Sequence, residues 1–295
     1  GNSDVSLNLP IIWTILISLL GGSAVLSQNG SSVRPYQMPH TEVRALYSKI
    51  VALDYVLYLS LPRNYAASNE AYPVVFTLDA DYAFALAHNI VEHLVDRGNL
   101  PAMIIVSIAY EGASQDMATY RRQRTRDYTP TFTLEGGYGP DFQKHSGGGK
   151  NFLAFIAEEL IPFVAAHYRV KPDDRTFVGH SYGGLFGSYV LLTQPKLFQR
   201  YILVSASFWY DNRVIFKLEQ AYQEAHDALP AKVFFAVGNL ENRIMANDMQ
   251  ALINVLRSRS YKGLTITGHV FEDETHNSVF PAALTRGLRV VFSGD

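Results

Sequence analysis

The stretch FVGHSYGG, residues 177–184, decides how this chain folds and what it is able to do. It holds the pattern Gly-x-Ser-x-Gly between Gly179 and Gly183, with Ser181 at its centre. Taken alone the pattern is weak, because glycine and serine are common in turns, so its meaning depends on the flanking segments. His180 is expected to be a packing residue rather than a base, since neighbours along a strand point to opposite sides.

The flanking segments favour a functional turn. RTFVGH before Ser181 predicts a short strand, and GGLFGSYVLLTQ after it predicts a helix of small and apolar residues. A sharp strand–turn–helix connection is the setting in which a serine hydroxyl is presented as a nucleophile. The alternative is a glycine-rich turn that carries an inert serine.

Strand-like and helix-like segments alternate from about residue 40 to the end of the chain. The predicted strands are 54–62, 72–79, 101–110, 175–180, 200–206, 231–238 and 264–272. The predicted helices are 82–97, 151–168, 183–194, 211–228, 247–260 and 281–292. Strands separated by helices form parallel βαβ units. The sequence therefore predicts one α/β domain with a mostly parallel central sheet and helices on both faces.

Residues 111–150 interrupt this alternation with a cluster of arginines, several aromatic residues and two glycine runs. A span of this length is too long for an ordinary connection in a compact domain. We predict a cap-like loop insertion that contacts the substrate.

Composition excludes several classes of function. The 295 residues are 48% hydrophobic and carry a formal net charge of -2, which gives no support for a nucleic-acid partner. The absence of cysteine excludes a cysteine nucleophile and thiolate metal sites. His88 and His93 are five residues apart, so they do not share a helix face as a metal-binding pair at i, i+4 would.

The N-terminal segment predicts export. An apolar run at residues 11–20 is followed by small residues, and Val25 and Ser27 suit a signal-peptidase site before Gln28. We therefore expect a signal peptide at residues 1–27, a single domain at 28–295 and a periplasmic or secreted product. The run is too short to span a bilayer comfortably, so no stable membrane span is expected after processing. A buried or membrane-anchoring helix is the alternative.

A serine hydroxyl needs a base to take its proton at neutral pH. We predict His276 as this base because it follows the last predicted strand in a loop, a placement that no other histidine shares. We predict Glu241 as the carboxylate that orients the base, because it lies three residues beyond Gly238, where a strand ends. Asp248 and Asp273 are the alternatives.

An acyl-transfer site also needs two backbone N–H groups that stabilise the developing oxyanion. The residue after the nucleophile, Tyr182, supplies one candidate. The loop after an earlier central strand supplies the other, for which we predict Asp81, with Ala80 or Tyr82 as alternatives.

Several segments together resemble the putative-esterase family of α/β-hydrolases, which includes esterase D-like enzymes and siderophore trilactone esterases. The matching segments, in order, are FTLDADYAF, RTRDYTPT, SGGGKNFLAFIAEELIPFV, FVGHSYGG, SASFWY, VGNLEN and ETHNSVFP. The resemblance implies an α/β-hydrolase fold, hydrolysis of carboxylic esters, and neither a metal nor an organic cofactor. It places the family's serine, histidine and acid on Ser181, His276 and Glu241, and its first oxyanion N–H on Asp81. Ala80 stands where the family commonly has glycine.

The resemblance implies a small-molecule ester as the substrate, and a siderophore trilactone is our first expectation. The side chains expected to bind it are two arginines and four aromatics: Arg124, Arg126, Tyr82, Tyr128, Trp209 and Tyr210. An alternative for the arginines is a solvated loop held by salt bridges. Some siderophore esterases are described as Ser–His dyads, so it stays open whether Glu241 is essential.

We expect Ser181 to form an acyl-enzyme. The same residues would also serve an acyl-thioester hydrolase or an acyltransferase. A catalytically inactive, hydrolase-like binding protein is an alternative from a different class, and the presence of both Ser181 and His276 argues against it.

Overall fold

The computed structural model describes residues 33–113 and 115–294, and Pro39–Asp295 forms one compact unit. Its strands are β1 (Thr41–Ser48), β2 (Leu53–Ser60), β3 (Tyr72–Thr77), β4 (Ile104–Tyr110), β5 (Val170–His180), β6 (Arg200–Val204), β7 (Ala228–Gly238) and β8 (Lys262–Phe271). Its α-helices are α1 (Ala80–Asp96), α2 (Met117–Tyr128), α3 (Pro140–Gln143), α4 (Gly149–Phe155), α5 (Ile161–His167), α6 (Tyr182–Thr193), α7 (Tyr210–Ala225), α8 (Arg243–Ser258) and α9 (Val279–Val291). A π-helical segment, Ile156–Leu160, joins α4 to α5, and residues 211–213 within α7 have positive φ angles.

The strands form one sheet in the order β1-β2-β4-β3-β5-β6-β7-β8. The pairs β1–β2 and β2–β4 are antiparallel, and β3 to β8 run parallel to one another. This confirms the predicted α/β fold with a mostly parallel central sheet.

Helices cover both faces of this sheet. Leu203 on β6 reaches Gly187 of α6, whereas the neighbouring Ile202 reaches Gly287 of α9. Because successive side chains of a strand point to opposite faces, α6 and α9 lie on opposite sides of the sheet. Both Ile202 and Leu203 are almost fully buried, so each face contributes its own apolar layer to the core.

Two regions differ from the sequence-based expectation. The edge strand β1 was not predicted, because only Ser48 at its end is buried and its apolar residues do not form a clear alternating pattern. The predicted loop insertion at 111–150 contains the twelve-residue helix α2 and the short helix α3. The predicted signal peptide lies outside the described residues. Within the described part of the chain, no helix combines the length and apolar character required to cross a membrane.

The turn at Ser181 is a strained connection between β5 and α6. Ser181 has φ 61° and ψ −117°, a conformation that non-glycine residues rarely adopt. Gly179 permits the close return of the chain, because a Cβ atom there would lie 2.2 Å from the carbonyl oxygen of Gly183. The Ser181 N–H donates to the Val204 carbonyl at 2.9 Å, which holds the turn against β6.

Replacing Gly179 with alanine tests this packing. We expect Gly179→Ala to lower the free energy of unfolding by at least about 3 kcal/mol, because the added methyl meets backbone atoms that have no alternative rotamer. Gly98→Ala is the matched control, because a methyl added at Gly98 would have no atom within 4 Å, although the φ of this residue is 73°.

The control should lose about 1–2 kcal/mol through its backbone conformation alone. Chemical denaturation of both variants measures the effects. Equal losses of stability in the two variants would contradict the close approach at Gly179.

Candidate active site

Three side chains from separate strand ends form a continuous hydrogen-bonded row. Ser181 follows β5, Glu241 follows β7 and His276 follows β8. The Ser181 Oγ lies 3.0 Å from His276 Nε2, and His276 Nδ1 lies 2.6 Å from Glu241 Oε1. These are the three side chains that the sequence singled out as nucleophile, base and orienting acid, and the fold places them in that order.

Glu241 accepts hydrogen bonds from two groups besides His276. Its Oε2 accepts hydrogen bonds from the Ser205 hydroxyl and from the Gly238 N–H, both at 2.6 Å. Burial opposes ionisation of Glu241, but the hydrogen bonds from His276, Ser205 and Gly238 outweigh it and lower the pKa of the Glu241 carboxyl. Glu241 is therefore an acceptor at neutral pH, which places the proton of His276 on Nδ1 and leaves Nε2 free to accept from Ser181.

The loops that carry Glu241 and His276 are tied together by their backbones. The Leu240 N–H donates to the Glu274 carbonyl at 3.0 Å, and the Asn239 N–H donates to the Phe271 carbonyl at 2.9 Å. Glycine is required at Gly238, because a Cβ atom there would lie 2.2 Å from the Glu274 carbonyl oxygen. The alternative acid Asp248 is paired with Arg213 at 3.0 Å, and His276 Nδ1 binds Glu241 rather than Asp248 or Asp273.

The predicted oxyanion donors lie in the first turns of two helices. Asp81 is the second residue of α1, and Tyr182 is the first residue of α6. N–H groups at these positions have no acceptor within their own helix, and of these two residues Tyr182 lines the cavity beside Ser181 whereas Asp81 does not. The alternative Tyr82 N–H instead donates to the Asp79 carbonyl at 3.2 Å.

Ser181 and His276 open into a cavity of about 920 Å³. Its wall is strongly aromatic, with six side chains from separate parts of the chain: Tyr82, Tyr120, Tyr138, Tyr182, Trp209 and Phe280. The volume lies at the upper end of the range for small-molecule sites. Among the described residues, no group of three or more His, Asp or Glu side chains is placed to hold a metal ion.

Arg124 is the only Asp, Glu, Lys or Arg residue among the described residues that line this cavity. Its Nε and Nη2 both bind the carboxylate of Asp79 at 3.0 Å, and the carboxylate and guanidinium are both buried. Tyr120 also donates to this carboxylate. Burial opposes ionisation of Asp79, but Arg124 outweighs it and lowers the pKa of the Asp79 carboxyl. The positive charge of Arg124 is thus compensated within the protein, rather than left free to hold an anionic substrate.

Three other residues predicted to bind substrate lie away from the described cavity wall. Arg126 pairs with the neighbouring Asp127 at 2.8 Å and does not line the cavity. Tyr128 and Tyr210 are fully buried, and the Tyr210 hydroxyl donates to the Thr131 carbonyl at 2.7 Å. The sequence does not reveal which side of α2 faces the cavity, and Tyr210, the first residue of α7, packs in the core. Tyr82 and Trp209 do line it.

The insertion is tied to the turn that carries Ser181. The Tyr182 hydroxyl donates to Gln143 Oε1 at 2.9 Å, and Gln143 Nε2 donates to the Thr133 carbonyl at 3.1 Å. Gln143 is fully buried. It therefore links the glycine-rich part of the insertion to the residue that follows Ser181.

Sequence reasoning missed the roles of Asp79, Ser205 and Gln143. Ser205 directly follows the buried strand β6, and Asp79 lies two residues beyond the end of the buried strand β3. A polar residue at the carboxyl end of a buried parallel strand is itself a signal for a site residue, because ligands bind at that edge of the sheet. Gln143 carries no comparable signal, because its partner is 39 residues away in a different element.

A mostly parallel sheet whose strand ends bring together a strained serine, a histidine and a carboxylate defines the α/β-hydrolase class. A family model described as "Putative esterase" matches residues 48–289. The chain belongs to this putative esterase family, and it is a carboxylic ester hydrolase rather than a non-catalytic binding protein.

The chain is similar to named esterases over most of its length. It is 30% identical over 276 residues to the ferri-bacillibactin esterase BesA of Bacillus subtilis, covering 90% of this chain and 94% of that protein. It is 27% identical over 256 residues to a siderophore triacetylfusarinine C esterase of Aspergillus fumigatus, covering 75% and 81%. The crystal structure of the BES protein from Bacillus cereus matches with a TM-score of 0.76 and 28% identity, covering 88% of this chain and 99% of that one.

The hydrogen bonds of Glu241 predict a pH-dependent contribution to stability. Because the pKa of this carboxyl is lower in the folded than in the unfolded protein, the contribution is fully present above the unfolded value of about 4.3. It is lost as the pH falls through the folded value. We expect Glu241→Gln to lower the free energy of unfolding by about 1.5–3 kcal/mol at pH 7.

The difference between wild type and Glu241→Gln should shrink as the pH falls below about 4. Urea unfolding of both proteins at several pH values measures it. A difference that stays constant from pH 7 to pH 3 would contradict a stabilising role for the ionised carboxylate.

Proposed function

We propose that this chain is a serine esterase that opens the ester bonds of a siderophore lactone through an acyl-enzyme on Ser181. The observation that carries the proposal is the row from Ser181 through His276 to Glu241, which opens into a large aromatic cavity. A serine becomes nucleophilic when a base within hydrogen-bond distance takes its proton and a third group orients the base.

The proton moves along the row in a defined order. His276 Nε2 takes the proton of Ser181 Oγ as the oxygen attacks the ester carbonyl, and Glu241 stabilises the resulting imidazolium. His276 then protonates the leaving alkoxide, which departs and leaves an ester on Ser181. A water molecule repeats the sequence: His276 takes its proton, the acyl group leaves as the acid, and Ser181 regains its hydroxyl proton.

The developing negative charge needs fixed donors. We assign the N–H groups of Tyr182 and Asp81 to this role, since both lie in first helical turns with no acceptor inside their own helix. Hydrogen-bond donors held in place before the reaction stabilise an oxyanion without reorganisation at the moment of attack.

The choice of substrate is supported by relatives and by the cavity. One relative is named for ferri-bacillibactin and another for the siderophore triacetylfusarinine C. Six aromatic side chains in the wall offer stacking surfaces for the aryl arms of a catecholate lactone. Since Asp79 compensates Arg124, aromatic stacking rather than free positive charge would dominate binding within the described cavity wall.

Export to the periplasm or medium is a further proposal. It is supported by the N-terminal sequence alone, through the apolar run at residues 11–20 and the small residues before Gln28.

Removing the serine hydroxyl tests the nucleophile. We expect Ser181→Ala to lower kcat for p-nitrophenyl acetate by at least about 10³-fold, because no other group in the row is able to form the ester. Ser188→Ala is the matched control, because the Ser188 hydroxyl is buried in the helix that follows Ser181 and donates to the Gly184 carbonyl, away from the reacting row.

The control should retain wild-type turnover. A fluorophosphonate probe should label wild type and Ser188→Ala but not Ser181→Ala, as read by mass spectrometry. Equal turnover by wild type and Ser181→Ala, with no labelled serine, would contradict the proposed mechanism.

A substrate panel tests the siderophore proposal. We expect kcat/KM above about 10⁴ M⁻¹s⁻¹ for a catecholate trilactone, within the range of evolved enzymes, and much lower values for short acyl esters and acyl thioesters. Trp209→Ala should raise KM for the trilactone by up to about 10-fold, the size of one aromatic contact, and leave KM for p-nitrophenyl acetate unchanged.

Chromatographic detection of the opened lactone, in ferric and iron-free form, provides the rates. Similar low rates on all oxygen esters, or faster cleavage of a thioester, would contradict the siderophore assignment.

A further inference from the structure

His180 is a buried imidazole between Gly179 and Ser181 and is itself hydrogen-bonded on both sides. Its Nε2 lies 2.7 Å from the main-chain carbonyl oxygen of His276, and its Nδ1 lies 2.8 Å from the hydroxyl of Tyr82. The residue is only 6% exposed, and its ring centroid is 4.8 Å from that of His276. A residue that only filled space at this position would need neither hydrogen bond.

The partners of His180 determine where its proton lies. A carbonyl oxygen only accepts, so Nε2 of His180 carries the hydrogen and donates it to His276. Burial, with the adjacent His276, lowers the pKa of His180 to about 4, so the ring is neutral at pH 7. In the neutral ring Nδ1 is an acceptor that faces the Tyr82 hydroxyl, whose single proton also has the Asp79 carboxylate within reach.

The network continues from Tyr82 to the buried ion pair. The Tyr82 hydroxyl also lies 3.1 Å from Asp79 Oδ2, and Asp79 is held by Arg124. The titratable and charged groups that face His180 are therefore Tyr82, Asp79, Arg124 and His276. All of them except His276 lie outside the loop that carries the base, so His180 joins that loop to the core of the fold.

We propose that His180 is a positioning residue that holds the main chain of His276, and through it the Nε2 atom that faces Ser181. This rests on the proposed function, in which His276 is the base. The loop that bears His276 is mostly exposed, with Glu272, Asp273 and Thr275 open to solvent. Its hydrogen bond to His180 fixes the backbone at the residue whose side chain must reach Ser181 Oγ.

Two substitutions separate positioning from packing. His180→Leu keeps an apolar side chain of similar bulk but removes the donor, whereas a glutamine amide at the same position is able to reach the His276 carbonyl with an N–H. We expect His180→Leu to lower kcat for p-nitrophenyl acetate by about 10- to 100-fold with KM within about 3-fold, because a misplaced base slows the chemical step. His180→Gln should recover most of the loss.

The readouts are kcat, KM and the pH profile of kcat/KM, measured well below the thermal midpoint of each variant. A shifted acidic limb in His180→Leu, restored in His180→Gln, supports positioning of the base. Wild-type kcat in a folded His180→Leu overturns the proposal, and so do equal losses in the two variants, which would mark a packing role.

A measurement on the wild-type protein tests the proposal even if His180→Leu does not fold. In ¹⁵N-histidine NMR spectra, His180 should be the neutral Nε2–H tautomer from pH 8 down to about pH 5. The Nδ1–H tautomer overturns the proposal, because a ring with its proton on Nδ1 has no Nε2–H to donate to the His276 carbonyl. If turnover does not depend on Ser181 at all, the proposed function fails, while the NMR result still reports separately on the His180 hydrogen bond.

Discussion

Ser181 holds its backbone at φ 61° and ψ −117°, and the rest of the site depends on that conformation. Residues held in such sparsely populated regions cost about 1–3 kcal/mol each and persist only when their surroundings fix them. Here the surroundings are specific: β6 accepts the Ser181 N–H at Val204, and the Ser207 N–H donates to the Ser181 carbonyl at 3.3 Å. The turn is therefore held from the neighbouring strand, and it presents Oγ at the edge where β7 and β8 deliver Glu241 and His276.

Charge around the site is compensated locally. The carboxylate of Asp79 is held by Arg124 and Tyr120, and the carboxylate of Glu241 is held by His276, Ser205 and the Gly238 N–H. Buried ionised groups of this kind are stable only when their hydrogen-bonding capacity is used. The cavity thus combines an aromatic wall with charges that are already paired, which favours recognition by shape and stacking.

The succession of the buried strands along the chain and the places of the three candidate catalytic side chains were predictable, because each depends on local pattern. Apolar runs mark the buried strands, and Ser181, Glu241 and His276 follow strand ends within a few residues. The family resemblance was also recognisable, because its segments lie in order along most of the chain.

What the sequence did not predict depends on contacts between distant residues. Arg124 and Asp79 are 45 positions apart in the sequence. Their ion pair, which leaves Arg124 without a free positive charge, is therefore visible only in the folded chain. The sequence offers no basis for distinguishing the aromatic residues Tyr128 and Trp209. In the folded chain Tyr128 is fully buried, whereas Trp209 lines the cavity. The helix α2 was not predicted, because its sequence MATYRRQRTRDY has too few apolar residues to show a helical face.

Gln143 has a consequence for how enzymes of this architecture change specificity. It belongs to the insertion that shapes the cavity, yet its amide oxygen accepts the hydroxyl of Tyr182, whose own N–H begins the helix behind Ser181. Exchanging the insertion between relatives would therefore alter the support of the reacting centre along with the shape of the wall. A transplanted loop that lacked this amide would leave the buried Tyr182 hydroxyl without its acceptor, so a changed cavity wall would also change the support of the turn at Ser181.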